Sequence, residues 1–416
     1  MQNLITYSLY GHVAKYTLGL FENLQMVREI YPGWDVRVYI DCEHYAIDRL
    51  KTDYPWVQVF VRSSVKGSGG MFWRFEPIFE LAYDRVIVRD VDSRPSEREA
   101  LLVKEWVESE RSIHCIRDHK EHRHTPVLGG ACGFYPKKIR HLRDSYIRWN
   151  HSYQYGDDEL YLRKQIYEQL STDEIFVHSS LDSKYERGDE TKQIDPCDNF
   201  ICKPVPPRFE PFLKRLYVLN APHYKNRYIK FVESLKRSEI LSNLEVVRVE
   251  GCYLKDEPVP SWFNQEHKHW WLASQDHKRL LKQLISQKED LALIFEDDGI
   301  PTTDFDEYFV RAWNRADPDK LKGDTHNPWT SLMLGGQQDD KRGYINEDLA
   351  IATGGYGQHS ILYNYSGLKG FYDHAMYWNY ETIDVAYAGY QRQFQNTYCP
   401  AKWITNIEGV QFGKDN

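Results

Sequence analysis

A chain of 416 residues is longer than one ordinary core supports, and at roughly 150 residues per domain it implies two or three domains. Hydrophobic residues make up 41% and charged residues 27%, the balance of a chain folded throughout rather than one with long disordered tracts. The net charge of -8 removes nucleic acid as the default partner, and no window is apolar over the length needed to span a bilayer.

The start, Met1-Gln2-Asn3-Leu4-Ile5, has no basic region leading into an apolar segment, so the expected location is the cytosol, with no obligate protein partner evident. Seven scattered cysteines (Cys42, Cys115, Cys132, Cys197, Cys202, Cys252, Cys399) form no Cys-x-x-Cys pair, which predicts reduced thiols rather than disulfides or a zinc site.

Leu4 to Tyr10 reads as a strand and Tyr16 to Tyr31 as a helix stopped by Pro32-Gly33. Val36 to Ile40 and Val57 to Val61 read as further strands. Gly67-Ser68-Gly69-Gly70 breaks the pattern ahead of Phe72-Trp73-Arg74-Phe75-Glu76. The run Arg85-Val86-Ile87-Val88 then leads to Asp90-Val91-Asp92, the end of a βαβ series. His114, His119, His122 and His124 match no metal spacing and predict a mobile polar loop. Between about Asp182 and Pro211 patterning fails, through Arg187-Gly188-Asp189-Glu190 and Lys203-Pro204-Val205-Pro206-Pro207. The expected division is a first domain over 1–205, a proline-rich linker over 206–213 and a second domain over 214–416.

The second half begins again with a strand, Arg215 to Asn220, and a charged helix, Lys225 to Arg237. Leu244 to Val249 reads as a strand, and Trp270 to Lys288 as a helix with Leu280, Leu281, Leu284 and Ile285 on one face. The strand Leu291 to Phe295 ends in Glu296-Asp297-Asp298. The halves share a layout and not a sequence, so the expected class is α/β, with two Rossmann-like domains in tandem, each a mixed central sheet flanked by helices.

With 61 acidic residues, chance alone supplies roughly nine acidic-x-acidic triplets, so position has to carry the argument. Both clusters follow a buried-strand pattern and precede a proline-marked loop, Ser93-Arg94-Pro95 or Gly299-Ile300-Pro301. Strand ends of this kind are where open α/β sheets bind ligands, and one or two carboxylates plus diphosphate oxygens are the usual seat of Mg2+ or Mn2+. Asp90, Asp92, Glu296, Asp297 and Asp298 are therefore the candidate metal ligands, for transfer of a group from an activated nucleotide.

These residues resemble glycosyltransferases of the GT-A type, whose signature is an Asp-x-Asp motif ending a strand of a nucleotide-binding sheet. With Tyr7-Ser8-Leu9-Tyr10-Gly11 and Phe72-Trp73-Arg74-Phe75-Glu76, the first half resembles the N-terminal domain of a chlorella-virus multidomain glycosyltransferase. The resemblance implies that Tyr10, Gly11 and Arg74 contact the nucleotide, and that Leu128-Gly129-Gly130-Ala131-Cys132-Gly133-Phe134 lets the backbone approach the sugar. It further implies an acceptor base at Asp157 or Asp158, within Tyr155-Gly156-Asp157-Asp158-Glu159, and His178 as a further metal ligand.

The second half resembles the lipopolysaccharide and collagen galactosyltransferase family. Leu216-Tyr217-Val218-Leu219-Asn220 with Arg227 matches its opening, Ala292-Leu293-Ile294-Phe295-Glu296-Asp297-Asp298 its acidic strand, and Thr353-Gly354-Gly355-Tyr356-Gly357 and Thr382-Ile383-Asp384 its later segments. In Trp271-Leu272-Ala273-Ser274-Gln275-Asp276-His277 the family's adjacent Ser-His is interrupted by two residues. This resemblance implies nucleotide contacts at Asn220 and Arg227 and a base at Asp384.

The resulting expectation is a bifunctional glycosyltransferase that uses Mn2+ or Mg2+ and nucleotide sugars, UDP-sugars favoured, on a glycan or glycoconjugate acceptor. Glycosylation of hydroxymethylated bases in viral DNA is an alternative, as is a glycan-binding protein with one or both domains inactive.

Overall fold

The most apolar runs of the sequence form the middles of two sheets. In the computed structural model, residues 2–65, 68–181, 191–251, 258–316, 329–336, 343–357, 359–379 and 381–407 are described. Gly67, Arg187-Gly188-Asp189-Glu190 and Cys252 lie outside them. The chain divides into two compact units, Met1–Pro207 and Arg208–Asn416.

Unit 1 contains β1 (Asn3–Leu9), α1 (Ala14–Ile30), β2 (Asp35–Asp41), α2 (Ile47–Asp53) and β3 (Gln58–Arg62), then a 3-10 helix (Gly69–Phe79) before β4 (Arg85–Arg89). There follow α3 (Glu97–Ser109), β5 (Ile113–Arg117), a 3-10 turn (Lys120–His124), β6 (Ala131–Phe134), α4 (Pro136–Ile139), α5 (Arg143–Arg148), α6 (Asp157–Tyr161), β7 (Ile175–Ser179) and β8 (Thr191–Gln193). The sheet order is β3-β2-β1-β4-β6-β5-β7-β8. All pairs are parallel except those of β6, which runs against β4 and β5. After β3 the chain returns past β1 to lay down β4, so strand order reverses between β1 and β4, the place where an open α/β sheet leaves a crevice. β4 is buried at all five positions, which is why its sequence is continuous rather than alternating.

Unit 2 contains β9 (Arg215–Asn220), α7 (Lys225–Ser234), α8 (Glu239–Ser242), β10 (Glu245–Glu250), α9 (Lys268–Gln287), β11 (Leu291–Glu296), β12 (Gly299–Pro301) and α10 (Phe305–Arg315). It continues with β13 (Ser331–Met333), β14 (Gly343–Tyr344), β15 (Leu349–Ile351), β16 (Ser360–Asn364), α11 (Tyr365–Tyr377), α12 (Ile383–Phe394), β17 (Thr397–Pro400) and β18 (Thr405–Ile407). The sheet order is β10-β9-β11-β16-β13-β17-β15-β14, with β12 and β18 paired separately. Again the acid-bearing strand β11 is parallel to the opening strand β9 and antiparallel to its other neighbour, β16. Leu280, Leu281 and Leu284 of α9 pack in the core formed with β9, β11 and β16.

Two expectations change. Phe209, Phe212 and Leu213, read as part of a linker, are buried, and Phe209 packs edge-on against Phe309 and Trp313 of unit 2, because aromatic side chains in a proline-rich stretch still seek a core. His114 is a buried residue of β5 rather than part of a mobile loop, and His122 is buried in the 3-10 turn. The six cysteines among the described residues are free thiols, and no described helix is long and apolar enough to cross a membrane.

Candidate active sites

In unit 1 the acids follow the last residue of β4, beside the reversal of strand order. Arg74, projecting from the 3-10 helix that precedes β4, joins two of them. Its Nη1 is ion-paired with Asp90 Oδ1, and its Nη2 lies 3.0 Å from Asp158 Oδ2 at the start of α6. Burial opposes the charge on Arg74, but Asp90 and Asp158 outweigh it and keep the guanidinium protonated. Burial raises the carboxyl of Asp158, with Asp90 adding to it and Arg74 opposing. The last acid, Asp92, is paired at 3.5 Å with Lys15 Nζ in the first turn of α1.

Glycines make room for this arrangement. A Cβ at Gly130 would overlap Asp90 Oδ2, and one at Gly129 would overlap Asp158 Oδ2 and stand 2.9 Å from Arg74 Nη2. Behind the acids, Val205 N–H donates to Asp92 O at 2.8 Å, Arg94 donates to Val91 O and Val205 O at 3.2 Å, and Cys202 Sγ donates to Gly130 O at 2.6 Å. The end of unit 1 thus braces the acidic turn. Arg89, buried at the end of β4, is ion-paired with Glu99 of α3, which also accepts from Tyr31 Oη at 2.9 Å.

Tyr10 follows β1 beside this cluster, its ring edge-on to Trp73, and burial pushes its hydroxyl up to about 12, with Arg74 opposing. Gly11 turns the chain with φ +67, a backbone that side chains disfavour. Asp157, by contrast, faces the loop ahead of α6. It accepts from Ser152 N–H at 3.0 Å and Trp149 Nε1–H at 3.4 Å, holding the loop ahead of α6.

His178 stands on β7, separated from β4 by β5 and β6. Its Nδ1 is 2.8 Å from His114 Nε2 and its Nε2 is 2.8 Å from Glu105 Oε2. Both ring nitrogens are engaged in that buried network, with two strands between it and the β4 acids.

In unit 2, Glu296 is the last residue of β11. Its Oε1 is 3.0 Å from His277 Nε2 of α9. Burial opposes its ionisation, but the hydrogen bond and charge of His277, with His359 and Arg227, hold its carboxyl below the usual range. Asp297 accepts from Asn220 Nδ2 at 2.5 Å and is 3.1 Å from Arg227 Nη2, which is also 2.7 Å from Asp298 Oδ2. Burial, with Glu296, pushes Asp298 up to about 7 against Arg227.

Asn220 is fully used. It also donates to Tyr224 O at 3.1 Å, and its Oδ1 accepts from Arg248 Nε at 2.9 Å. Asn220 and Arg227 therefore hold acids in this geometry rather than standing open. Asp384 lies in the first turn of α12, next to Ile383, whose N–H donates to Ser274 Oγ of α9 at 2.8 Å. Asp384 thus stands at the junction of α12 with the helix that carries His277.

Gly130 lets the Asp90 carboxylate sit where a Cβ would overlap it, and one observation bears directly on a divalent ion at these ends. Asp298 Oδ1 is a buried carboxylate oxygen in no well-formed hydrogen bond, a costly state that a cation relieves. The donor sets are oxygen-rich, as a hard cation requires. Among the described residues, no group of three or more His, Cys, Asp or Glu side chains forms a ready-made metal cage.

Lys15, Glu159, His124, His277 and His359 were not singled out from sequence as site residues. Lys15 had a signal, since a cation in the first turn of a helix opposes the helix dipole and is unusual without an acid partner.

No family model matches the chain, and no curated protein matches it. Among solved structures, a mannosyltransferase from Pyrobaculum calidifontis in complex with GDP-Man and Mn2+ is 12% identical with a TM-score of 0.33, over 68% of this chain and 75% of its own. A glycosyltransferase involved in glycosylation of the major capsid of PBCV-1 is 8% identical with a TM-score of 0.30, over 43% of this chain and 82% of its own. A 4-diphosphocytidyl-2C-methyl-D-erythritol synthase from Anaerococcus prevotii is 12% identical with a TM-score of 0.32, over 49% of this chain and 92% of its own.

Proposed function

We propose that each unit is a metal-dependent glycosyltransferase, so that the chain is bifunctional and moves sugars from nucleotide sugars, UDP-sugars by preference, to a glycan acceptor. The observation that carries this reading is the placement of acids beside a reversal of strand order in both units: Asp90 and Asp92 after β4, and Glu296 with Asp297 and Asp298 at the end of β11. The motif resemblances described above supply the reaction class.

Asp90 and Asp92 in unit 1, and Glu296 and Asp298 in unit 2, are the residues that would hold Mn2+ or Mg2+. Such an ion, when bound, neutralises charge on the departing nucleoside diphosphate. Arg74 keeps Asp90 and Asp158 from repelling each other and fixes their spacing. Tyr10 and Gly11 border the same crevice, and Lys15 and Arg227 add positive charge at the side where a diphosphate would lie. The net charge of -8 favours a glycan over DNA as acceptor.

Calorimetric titration of UDP, GDP and ADP, with and without Mn2+, tests the reading on the whole chain. Metal-dependent diphosphate binding that weakens in D92N and in D298N is expected. Binding of no nucleotide under any of these conditions would overturn it.

A further inference from the structure

Three acids open α6, and the structure gives each a different situation. Asp157 is committed to Ser152 and Trp149, as described. Asp158 is held against Arg74 and buried away from solvent. Glu159 differs from both. Its side chain is 24% exposed, and its Oε2 is 3.1 Å from Nε2 of His124 in the 3-10 turn.

His124 has its proton placement set by its other side. Nδ1 is 2.7 Å from the carbonyl oxygen of Glu121, which only accepts, so Nδ1 carries a hydrogen. The contact between Nε2 and Glu159 then requires one further proton, shared as imidazolium with carboxylate or as imidazole with carboxylic acid. Glu159 also interacts electrostatically with Asp158 and Asp90, and with the exposed Tyr155, which itself interacts with Asp90 and Asp92. Glu159 follows Asp158 in α6, and Asp158 is joined through Arg74 to Asp90, so Glu159 stands next to the acidic cluster of β4.

We propose that Glu159, positioned by His124, is the residue of unit 1 that takes the proton from the incoming acceptor hydroxyl. The inference rests on the transferase reading of unit 1. The acceptor O–H bond breaks and its proton passes to a carboxylate oxygen of Glu159. The acceptor oxygen forms the bond to the anomeric carbon, and the anomeric carbon–oxygen bond to the diphosphate breaks with its electron pair leaving on the nucleoside diphosphate. Glu159 is the catalytic residue in this step, and His124 is a positioning residue.

Burial, Asp158 and Asp90 push the Glu159 carboxyl up to about 7, while His124 opposes them. A base must be ionised to act, so turnover in unit 1 rises with pH through neutrality and levels above it.

The test uses the full chain carrying D298N, which silences unit 2, with and without E159Q or H124Q. UDP release from UDP-glucose, UDP-galactose and UDP-N-acetylglucosamine with Mn2+ is followed from pH 5.5 to 8.5 with water as acceptor, alongside calorimetric titration of UDP with Mn2+. E159Q is expected to lower turnover at pH 8 by at least about 100-fold, to abolish the rise near pH 7, and to leave UDP affinity within about threefold. H124Q is expected to bind UDP normally, to displace that rise and to slow turnover by about tenfold. Turnover of E159Q within about threefold of its parent, or a retained rise near pH 7, would overturn the proposal. If E159Q no longer binds UDP, H124Q decides: an unchanged rate and pH profile overturns the proposal, and a displaced profile supports it. A parent chain that neither binds UDP nor releases it from any donor would overturn the transferase reading of unit 1 together with this proposal.

Discussion

The two acidic strand ends can be superimposed by hydrogen-bond register rather than by sequence. Arg89 faces Ala131 in unit 1 and Phe295 faces Ser360 in unit 2, so Asp90 corresponds to Glu296, Asp92 to Asp298, and Gly130 to His359. In each unit the first acid is paired with a cationic or basic side chain from the helix preceding its strand: Arg74 for Asp90, His277 for Glu296. In each unit the last acid is paired with a cation from the helix that follows the opening strand: Lys15 for Asp92, Arg227 for Asp298. The same charge pattern is built twice from different residues, which shows that the electrostatic layout is the shared property. The difference lies in permanence. Unit 1 uses an always-charged arginine locked between two carboxylates, whereas unit 2 uses a titratable imidazole on a single one.

The largest expected effect comes from breaking that asymmetry. R74M strands the buried carboxylate of Asp158 and unpairs the partly exposed Asp90 as well, and should cost about 3–5 kcal/mol in urea unfolding of unit 1, whereas H277Q unpairs only the partly exposed Glu296 and should cost unit 2 only about 1 kcal/mol. Equal losses would break the comparison. Next, G130A places a methyl group on Asp90, and overpacking of about 1–3 kcal/mol with weaker Mn2+-dependent UDP binding is expected by thermal shift and calorimetry. Unchanged binding would show that the placement of the Asp90 carboxylate does not matter to the nucleotide.

A pH effect comes third. His44 of unit 1 is buried, accepts from Ala46 N–H at Nδ1 (3.1 Å), and is pushed down to about 3 by burial, with His12 adding to it. Its folded value lies below its unfolded one, so the unfolded chain takes up the proton first and stability is lost as pH falls below about 6.5. By pH 5 this amounts to about 2 kcal/mol, and H44Q should flatten the slope by that amount in hydrogen exchange of unit 1. The smallest effect belongs to Arg227, which is half-buried: R227A should change the stability of unit 2 by less than about 1 kcal/mol while weakening its diphosphate binding.

The strands and their acidic ends were legible because a fully buried strand leaves a continuous apolar run, and the change to Asp or Glu marks where it meets the crevice. The partners of those acids were not. Arg74 and Asp158 lie 84 residues apart and meet only through a 3-10 helix, and nothing local to Arg74 distinguishes a nucleotide contact from an internal ion pair. His178 follows an apolar strand as a ligand would, yet the order of β6, β5 and β7, which sequence does not disclose, carries it away from β4. Gly129 and Gly130 were recognised as a close approach, but the groups they approach, Asp158 and Asp90, became visible only with β6 in place. Asp157 and Glu159 are near-identical by sequence signal, and only the loop over Trp149 and Ser152 separates the acid it faces from an accessible one.

The most direct test of the central claim is turnover of a panel of UDP- and GDP-sugars with Mn2+ by the full chain, by D92N and by D298N. Two working sites predict that each variant loses one donor or one transfer step and keeps the other. Full activity in both variants, or no turnover by a wild-type chain supplied with glycan acceptors, would contradict the account.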